Sequence, residues 1–401
     1  MANPNTAPAT IPDNHISLEI LGFFHGFTGY AVHARAIAHH LLEEGFTLKI
    51  IPYNNTHPIP DPSLDLCRKT KLPPAYPIIR LVCLPPHPYY HQKRYTILLT
   101  MMETHSLHPG VISRLRTANE VWTPNLYNFM QFRNALPKHI PVFFMPEGTD
   151  ISIYNDKTPP LDIRSSSTFV AVSVFAWQWR KGPDVLIKAW LKAFTSKDNA
   201  RLILLTRVPT LSKRESRTLI QQEIAKISTE INNPDPAPII VADDPLPDEA
   251  MPGFYRAADC FVLPTRGEGW CQPALDSMAC GTPVIITGSS GQLTFCNKHN
   301  SLLLPPGKPT AFVPEKVRLM DFFNNQTFDN PSPDDCAAAL RNLYKYPTLR
   351  ADLSSQALID VRQKWQWQIT LKRISKRLKE IDSLLKEKPH AATSSLENHC
   401  P

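Results

Sequence analysis

Residues 268–285 read EGWCQPALDSMACGTPVI, and they constrain the fold more than any other run in the chain. Just upstream, Cys260-Phe261-Val262-Leu263-Pro264 is a short apolar segment ended by proline, as a buried parallel strand would be. Glu268-Gly269 then makes a turn. Gln272-Pro273 can open a helix, because a first-turn proline gives up an N–H that has no intrahelical partner. Ala274, Leu275, Met278 and Ala279 give that helix one apolar face. Gly281 suits its C-terminal cap, Pro283 stops it, and Val284-Ile285-Ile286 is the next strand. A strand–helix–strand unit of this kind implies a parallel sheet with helices on its faces.

In such sheets ligands bind at the carboxyl ends of the strands. The spacing puts Glu268 in the loop there and Asp276 in the first turn of the following helix. A helix N-terminus attracts anions such as phosphate. A carboxylate at the same place would instead accept hydrogen bonds from hydroxyls, as on a ribose or a hexose. The plainer readings are a solvated turn acid for Glu268 and a dipole-complementing acid for Asp276; the two together are more specific than either alone.

This run resembles the donor-site signature of retaining glycosyltransferases of family 4, whose usual form is E-G-F-G-x-P-x-x-E-A-M-A-C-G-x-P-V-I. Glu268, Gly269, Pro273, Met278, Ala279, Cys280, Gly281, Pro283, Val284 and Ile285 match. Trp270 stands for Phe, Cys271 for a Gly whose backbone often approaches the donor, and Asp276 for the second Glu. The resemblance implies the GT-B fold: an α/β protein with two Rossmann-like domains facing each other across a cleft, and a C-terminal helix crossing back to the first.

The chain has 401 residues, enough for two domains of ordinary size, and its 42% hydrophobic residues can build substantial cores. The expected division is an acceptor-side domain over 1–156, a linker over 157–168, a nucleotide-sugar domain over 169–360, a crossover helix over 361–386 and a disordered tail over 387–401. Forty prolines against 14 glycines is an unusual balance. Many of the prolines fall at 58–88, which reads as a rigid, irregular excursion. The net charge of +7 comes partly from residues 372–388, and no basic-aromatic repeat or zinc spacing accompanies it, so nucleic acid is not an expected partner. Eight cysteines without CxxC spacing read as reduced thiols. No leader pattern or apolar run of about 20 residues is present, so the expected location is cytoplasmic. The last helix carries an apolar stripe at Trp367, Leu371, Ile374, Leu378, Ile381 and Leu385. It reads as the crossover helix, with peripheral contact at a membrane surface as the alternative.

Ile16–Phe24, a turn containing Gly26 and Gly29, a helix over Ala31–Glu44 and a strand over Thr47–Pro52 make a βαβ opening. The glycines serve either a tight turn or close approach of a ligand; the resemblance puts the donor phosphates and the acceptor opposite this loop, with Gly29 the better match. Tyr95–Thr100 is a further strand, and Glu103 and His105 just beyond its end are acceptor-side candidates. Beyond 168 the pattern reads as a second series of strands and helices, with a long loop over 305–334.

A departing nucleoside diphosphate puts negative charge on a leaving oxygen, which a metal ion or fixed cations can offset. The chain has no Asp-x-Asp pair, so no metal cofactor is expected and cations must serve. Arg180 and Lys181 follow a strand and precede Gly182. The resemblance gives Lys181 to the diphosphate; the family's usual arginine six residues earlier is here Phe175, and Arg180 substitutes for it. By the same resemblance Glu268 takes the donor sugar's hydroxyls, Asp276 the ribose hydroxyls, and Gly269, Trp270, Cys271 and Gln272 line the donor. The expectation is a retaining, metal-independent hexosyltransferase that uses a UDP- or GDP-linked sugar and an acceptor glycan, lipid or small molecule. A catalytically silent GT-B binding partner and a sugar-nucleotide epimerase are the alternatives.

Overall fold

The computed structural model describes residues 16–26, 28–53, 57–72, 78–86, 94–163, 168–242, 244, 246–312 and 321–387. The tail expected beyond 387, part of the linker and part of the proline-rich stretch lie outside the described residues. Two six-stranded parallel sheets form, as the α/β GT-B expectation requires. The first contains β1 (Ser17–Gly22), β2 (Thr47–Pro52), β3 (Ile79–Cys83), β4 (Tyr95–Leu99), β5 (Glu120–Thr123) and β6 (Val142–Phe144), in the order β2-β1-β3-β4-β5-β6. The second contains β7 (Phe169–Ala176), β8 (Ala200–Arg207), β9 (Ile239–Ala242), β10 (Cys260–Leu263), β11 (Val284–Thr287) and β12 (Leu302–Leu304), in the order β12-β11-β10-β7-β8-β9. Central strands such as β1, β3 and β10 are buried along their whole length, because helices cover both sheet faces. The strand order reverses between β1 and β3 and between β7 and β10, and these are the points where such sheets open a crevice for ligands.

The proline-rich stretch corrects the sequence reading. It contains a helix, Pro62–Cys67, capped by the Asp61 carboxylate, and the central strand β3, paired to β1 and β4. The prolines flank β3 rather than interrupt it, so the run Ile78–Leu84 keeps every ladder N–H.

The sequence reading also began the last helix too early. The helix Pro347–Lys364 runs on, and the chain leaves it at Trp365 to bridge the first domain: Thr149 N donates to Trp365 O at 2.8 Å, and Trp367 N to Thr149 O at 3.2 Å. A second helix, Trp367–Glu387, then crosses the first domain. Leu371, Ile374, Leu378 and Ile381 join the core built from Leu18, Ile37, Leu41 and Ile97. Arg377 pairs with the buried Glu120, and Lys379 Nζ lies 2.7 Å from Glu44. The stripe is therefore spent on the crossover and not offered to a membrane. No helix among the described residues is long and apolar enough to cross one.

The long loop after β12 is more structured than its sequence suggests. It forms a two-stranded ribbon, β13 (Thr310–Ala311) against β14 (Thr327–Phe328). Phe323 and Phe328 of this strap enter a core cluster of the first domain with Val82, Leu98, Met102 and Val111.

Candidate active site

Three loops at carboxyl ends of strands meet across the cleft. Arg180 and Lys181 follow β7, Glu268 follows β10, and Glu103 follows β4. The β7 loop is pinned by Gly182, at φ +71°, where an added Cβ would sit 2.1 Å from Pro264 O; only glycine fits both the angle and the space. Arg266 N donates to Arg180 O at 2.7 Å, and the Arg266 side chain grips Asp184 through two 2.8 Å bonds, so the β7 and β10 loops are tied together.

Lys181 Nζ reaches both oxygens of Glu268, at 2.8 and 2.7 Å. Thr265 Oγ1 donates to Glu268 Oε1 at 2.9 Å. The Arg180 guanidinium lies 3.5 Å from Glu268 and 3.3 Å from Glu103, and it also donates to Gly267 O. The side chains of Arg180, Lys181 and Glu268 are 13, 17 and 4% exposed, so this is a nearly dry cluster of two cations and two carboxylates. Burial alone would raise the Glu268 carboxyl, but Lys181 and Arg180 outweigh it and hold it below the ordinary glutamate range. Burial likewise opposes the Arg180 charge, and Glu103 and Glu268 more than restore it. Phe175, in place of the arginine that the resemblance implies, is a core residue stacked on Trp177 at 5.9 Å.

Asp276 belongs to a separate group. It lies in the second turn of the helix Gln272–Ala279, one turn deeper than the sequence reading placed it, so it does not serve the helix dipole. Its Oδ1 accepts from Thr149 Oγ1 at 2.6 Å and from Gln272 Nε2 at 2.8 Å; Gln272 Nε2 also donates to Gly148 O, so that side chain is directed at the interdomain crossing. Burial pushes the Asp276 carboxyl up to about 7; the two hydrogen bonds oppose that, and Glu147 and Asp150 add to it.

A Cβ at Gly269 would come within 2.2 Å of Met101 Sδ and 2.5 Å of its Cγ on the opposite domain, so a larger residue there displaces the Met101 side chain. Trp270 is buried against Phe295 and Trp365. Cys271 adopts a left-handed conformation, φ 79° and ψ 62°, which explains why a glycine is usual here. Buried as it is, Cys271→Val is expected to destabilise the chain by at least about 2 kcal/mol, because a β-branched side chain tolerates positive φ worse than cysteine does. Cys271→Ala should cost less, and equal losses in urea titration would refute the argument. On the first domain, Gly26 has φ +74° and serves a turn, whereas Gly29 opens the helix Gly29–Glu43. A Cβ at either position would meet open space, so nothing in the chain itself crowds Gly29.

His105 does not join the Glu103 cluster. Its Nε2 bonds Asp329 Oδ1 at 2.9 Å and its Nδ1 lies 3.3 Å from Thr327 Oγ1, both on the strap. Asp329, Thr265 and Thr149 escaped the sequence reading, as did a buried pair in which His33 Nδ1 lies 3.3 Å from Glu147 Oε1. Asn125 escaped too; its side chain caps the helix Leu126–Ala135 and donates to Gly269 O at 2.6 Å, and an Asn just before a helical run was a signal open to use.

Residues 166–321 match a family model described as glycosyl transferases group 1. A D-inositol 3-phosphate glycosyltransferase of Acidothermus cellulolyticus is 26% identical over 146 residues, 35% of this chain and 31% of that protein. A mannosylfructose-phosphate synthase of Agrobacterium fabrum is 33% identical over 111 residues, 28% of this chain and 23% of that protein. The chain thus spans about a third or less of the length of these curated relatives. In structure it resembles a sucrose-phosphate synthase from Thermosynechococcus elongatus, with TM-score 0.67 and 15% identity over 92% of this chain and all of that one. It also resembles Anabaena HepE in complex with UDP and glucose, with TM-score 0.61 and 15% identity over 91% of this chain and all of that one. These likenesses show the two-domain GT-B fold.

Proposed function

We propose that this chain, a GT-B protein whose residues 166–321 match the group 1 glycosyl transferases, moves a hexosyl group from a nucleoside-diphosphate sugar to an acceptor hydroxyl. One observation carries this reading: two cations and two carboxylates, nearly dry, at the β7/β10 switch point and facing the first domain. A diphosphate entering there exchanges the carboxylate partners of Arg180 and Lys181 for its own oxygens. Glu268 is thereby freed to accept hydrogen bonds from sugar hydroxyls, and it is already ionised for that task. Asp276 takes the ribose hydroxyls, and Gly29 leaves room for close approach from the opposite domain.

As the sugar–phosphate bond breaks, charge grows on the leaving oxygen, and Arg180 and Lys181 stabilise it most where water is excluded. The departing phosphate takes the acceptor's proton on the same face, which retains the anomeric configuration. Positive charge from the chain itself makes a metal ion unnecessary in this scheme.

UDP is the first nucleotide to test, because it is bound in the HepE complex. UDP at ~100 times its dissociation constant should add ~2.7 kcal/mol to stability, equally with and without EDTA. A shift that EDTA abolishes would defeat the metal-free scheme. No shift with UDP, GDP or ADP would favour a catalytically silent scaffold that binds glycan rather than nucleotide.

A further inference from the structure

The strap between β12 and the helix Pro333–Lys345 belongs to the second domain in sequence, yet it docks on the first. Phe328 is wholly buried and packs edge-on against Trp179 at 5.7 Å, next to Arg180. Asp329 follows it and is held on both sides: its own N donates to Arg266 O at 3.0 Å, and Asn330 N to Pro306 O at 2.8 Å. The Asp329 carboxylate is 9% exposed and bridges two loops. Oδ1 meets His105 Nε2 at 2.9 Å on the first domain, and Oδ2 accepts from Ser289 Oγ on the second. A carboxylate has no proton to give, so His105 Nε2 is the donor; in the neutral ring Nδ1 is then the acceptor for Thr327 Oγ1. His105 N also donates to Thr327 O at 3.0 Å, and Ser106 Oγ to Gln326 Oε1 at 2.8 Å.

Ser289 lies in the loop that supports Glu268. Gly291 N donates to Glu268 O at 2.9 Å, and Glu268 N to Ser290 Oγ at 3.1 Å. The loop carrying Glu103 and His105 and the loop behind Glu268 are thus joined through a single side chain from a third segment.

We propose that Asp329 is a positioning residue that couples the acceptor-side loop 103–106 to the donor-side loop 287–291 and holds both in register for transfer. The proposal rests on the glycosyl-transfer reading above. With both ring nitrogens engaged by the strap, His105 is the dock for this device and not a base. Register matters because displacing a reacting group by about 1 Å can cost ~100-fold in rate.

The test uses the full chain as wild type, Asp329→Ala, Asp329→Glu and Ser289→Ala. Amide hydrogen exchange without nucleotide should accelerate at least tenfold in both loops of Asp329→Ala, although they lie on different domains. Acceleration confined to 327–330 would overturn the coupling. With UDP-glucose, release of UDP should fall at least tenfold in kcat in Asp329→Ala while KM stays within threefold; Asp329→Glu should recover part of it. Unchanged kcat would overturn the proposal, and so would kcat and KM worsening together with loss of the UDP thermal shift, the mark of general unfolding. Should Asp329→Ala fold poorly, Ser289→Ala, which removes one hydroxyl, must still lower kcat. A wild type that none of UDP, GDP and ADP stabilises would sink the transfer reading, and this proposal with it, whatever the exchange data show.

Discussion

Glu268→Ala is expected to abolish measurable transfer, a loss of at least ~1,000-fold, and also to cost the fold about 3–5 kcal/mol. The second effect follows from geometry. Removing the carboxylate leaves Lys181 Nζ, now 2.7–2.8 Å from both Glu268 oxygens, in a nearly dry site with no counter-charge, while Arg180 keeps Glu103. Lys181→Ala should be equally inactive but less damaging, since Glu268 keeps Arg180 at 3.5 Å and the Thr265 hydroxyl at 2.9 Å. A loss of activity in either single variant is therefore confounded by stability, and the double variant Lys181→Met/Glu268→Gln resolves it. With no buried charge stranded, its stability should return to within about 1 kcal/mol of wild type, because a buried pair replaced as a unit is near neutral. Its transfer should stay absent, because the diphosphate loses Lys181 and the sugar hydroxyls lose the Glu268 carboxylate. Urea unfolding and nucleotide-sugar turnover on the same four proteins decide the matter. A stable double variant that still transfers sugar would show the pair to be structural only.

The second half of this site was legible because each device there is local in sequence. Gly182, the Glu268 turn, the Pro273 helix start and the Gly281 cap occur in short runs whose backbone demands fix the geometry, and β10, β11 and the helix between them formed where the spacing put them. The cross-cleft partners could not be read the same way. Thr149 reaches Asp276 across 127 positions and Asp329 reaches His105 across 224, and no periodicity records such a pairing. Proline content misled at β3, because composition averages over a stretch whereas the ladder needs only that the five residues Ile79–Cys83 contain none. The strap was read as loop because its order comes from Phe323 and Phe328 entering another domain's core, not from any repeat of its own.

Asp276 should make the stability of this chain decline with pH in a way that Asp276→Asn removes. Its carboxyl stands at about 7 in the folded chain against an ordinary aspartate value of 3.8, and burial is the main cause. The folded chain then binds a proton that the unfolded chain has released. The stabilisation from that proton is complete below about pH 4 and is lost progressively as pH rises to and beyond 7. A difference of about three pKa units corresponds to roughly 4 kcal/mol. Asparagine keeps an oxygen for Thr149 and Gln272 and carries no charge, so the difference in unfolding free energy between variant and wild type should grow by a few kcal/mol from about pH 5 to about pH 8.5. Parallel curves would mean that Asp276 is ionised throughout, with solvent or a neighbour stabilising its charge. The same proton links to function. On the proposed reading ribose hydroxyls donate to the ionised carboxylate, so UDP-glucose, whose phosphates carry no proton near pH 7, should bind wild type more tightly as pH rises through about 7 and release a proton from Asp276 as it does. In Asp276→Asn that rise should vanish while binding through Lys181 and Arg180 persists, which separates the ribose contact from the diphosphate contact in one titration series.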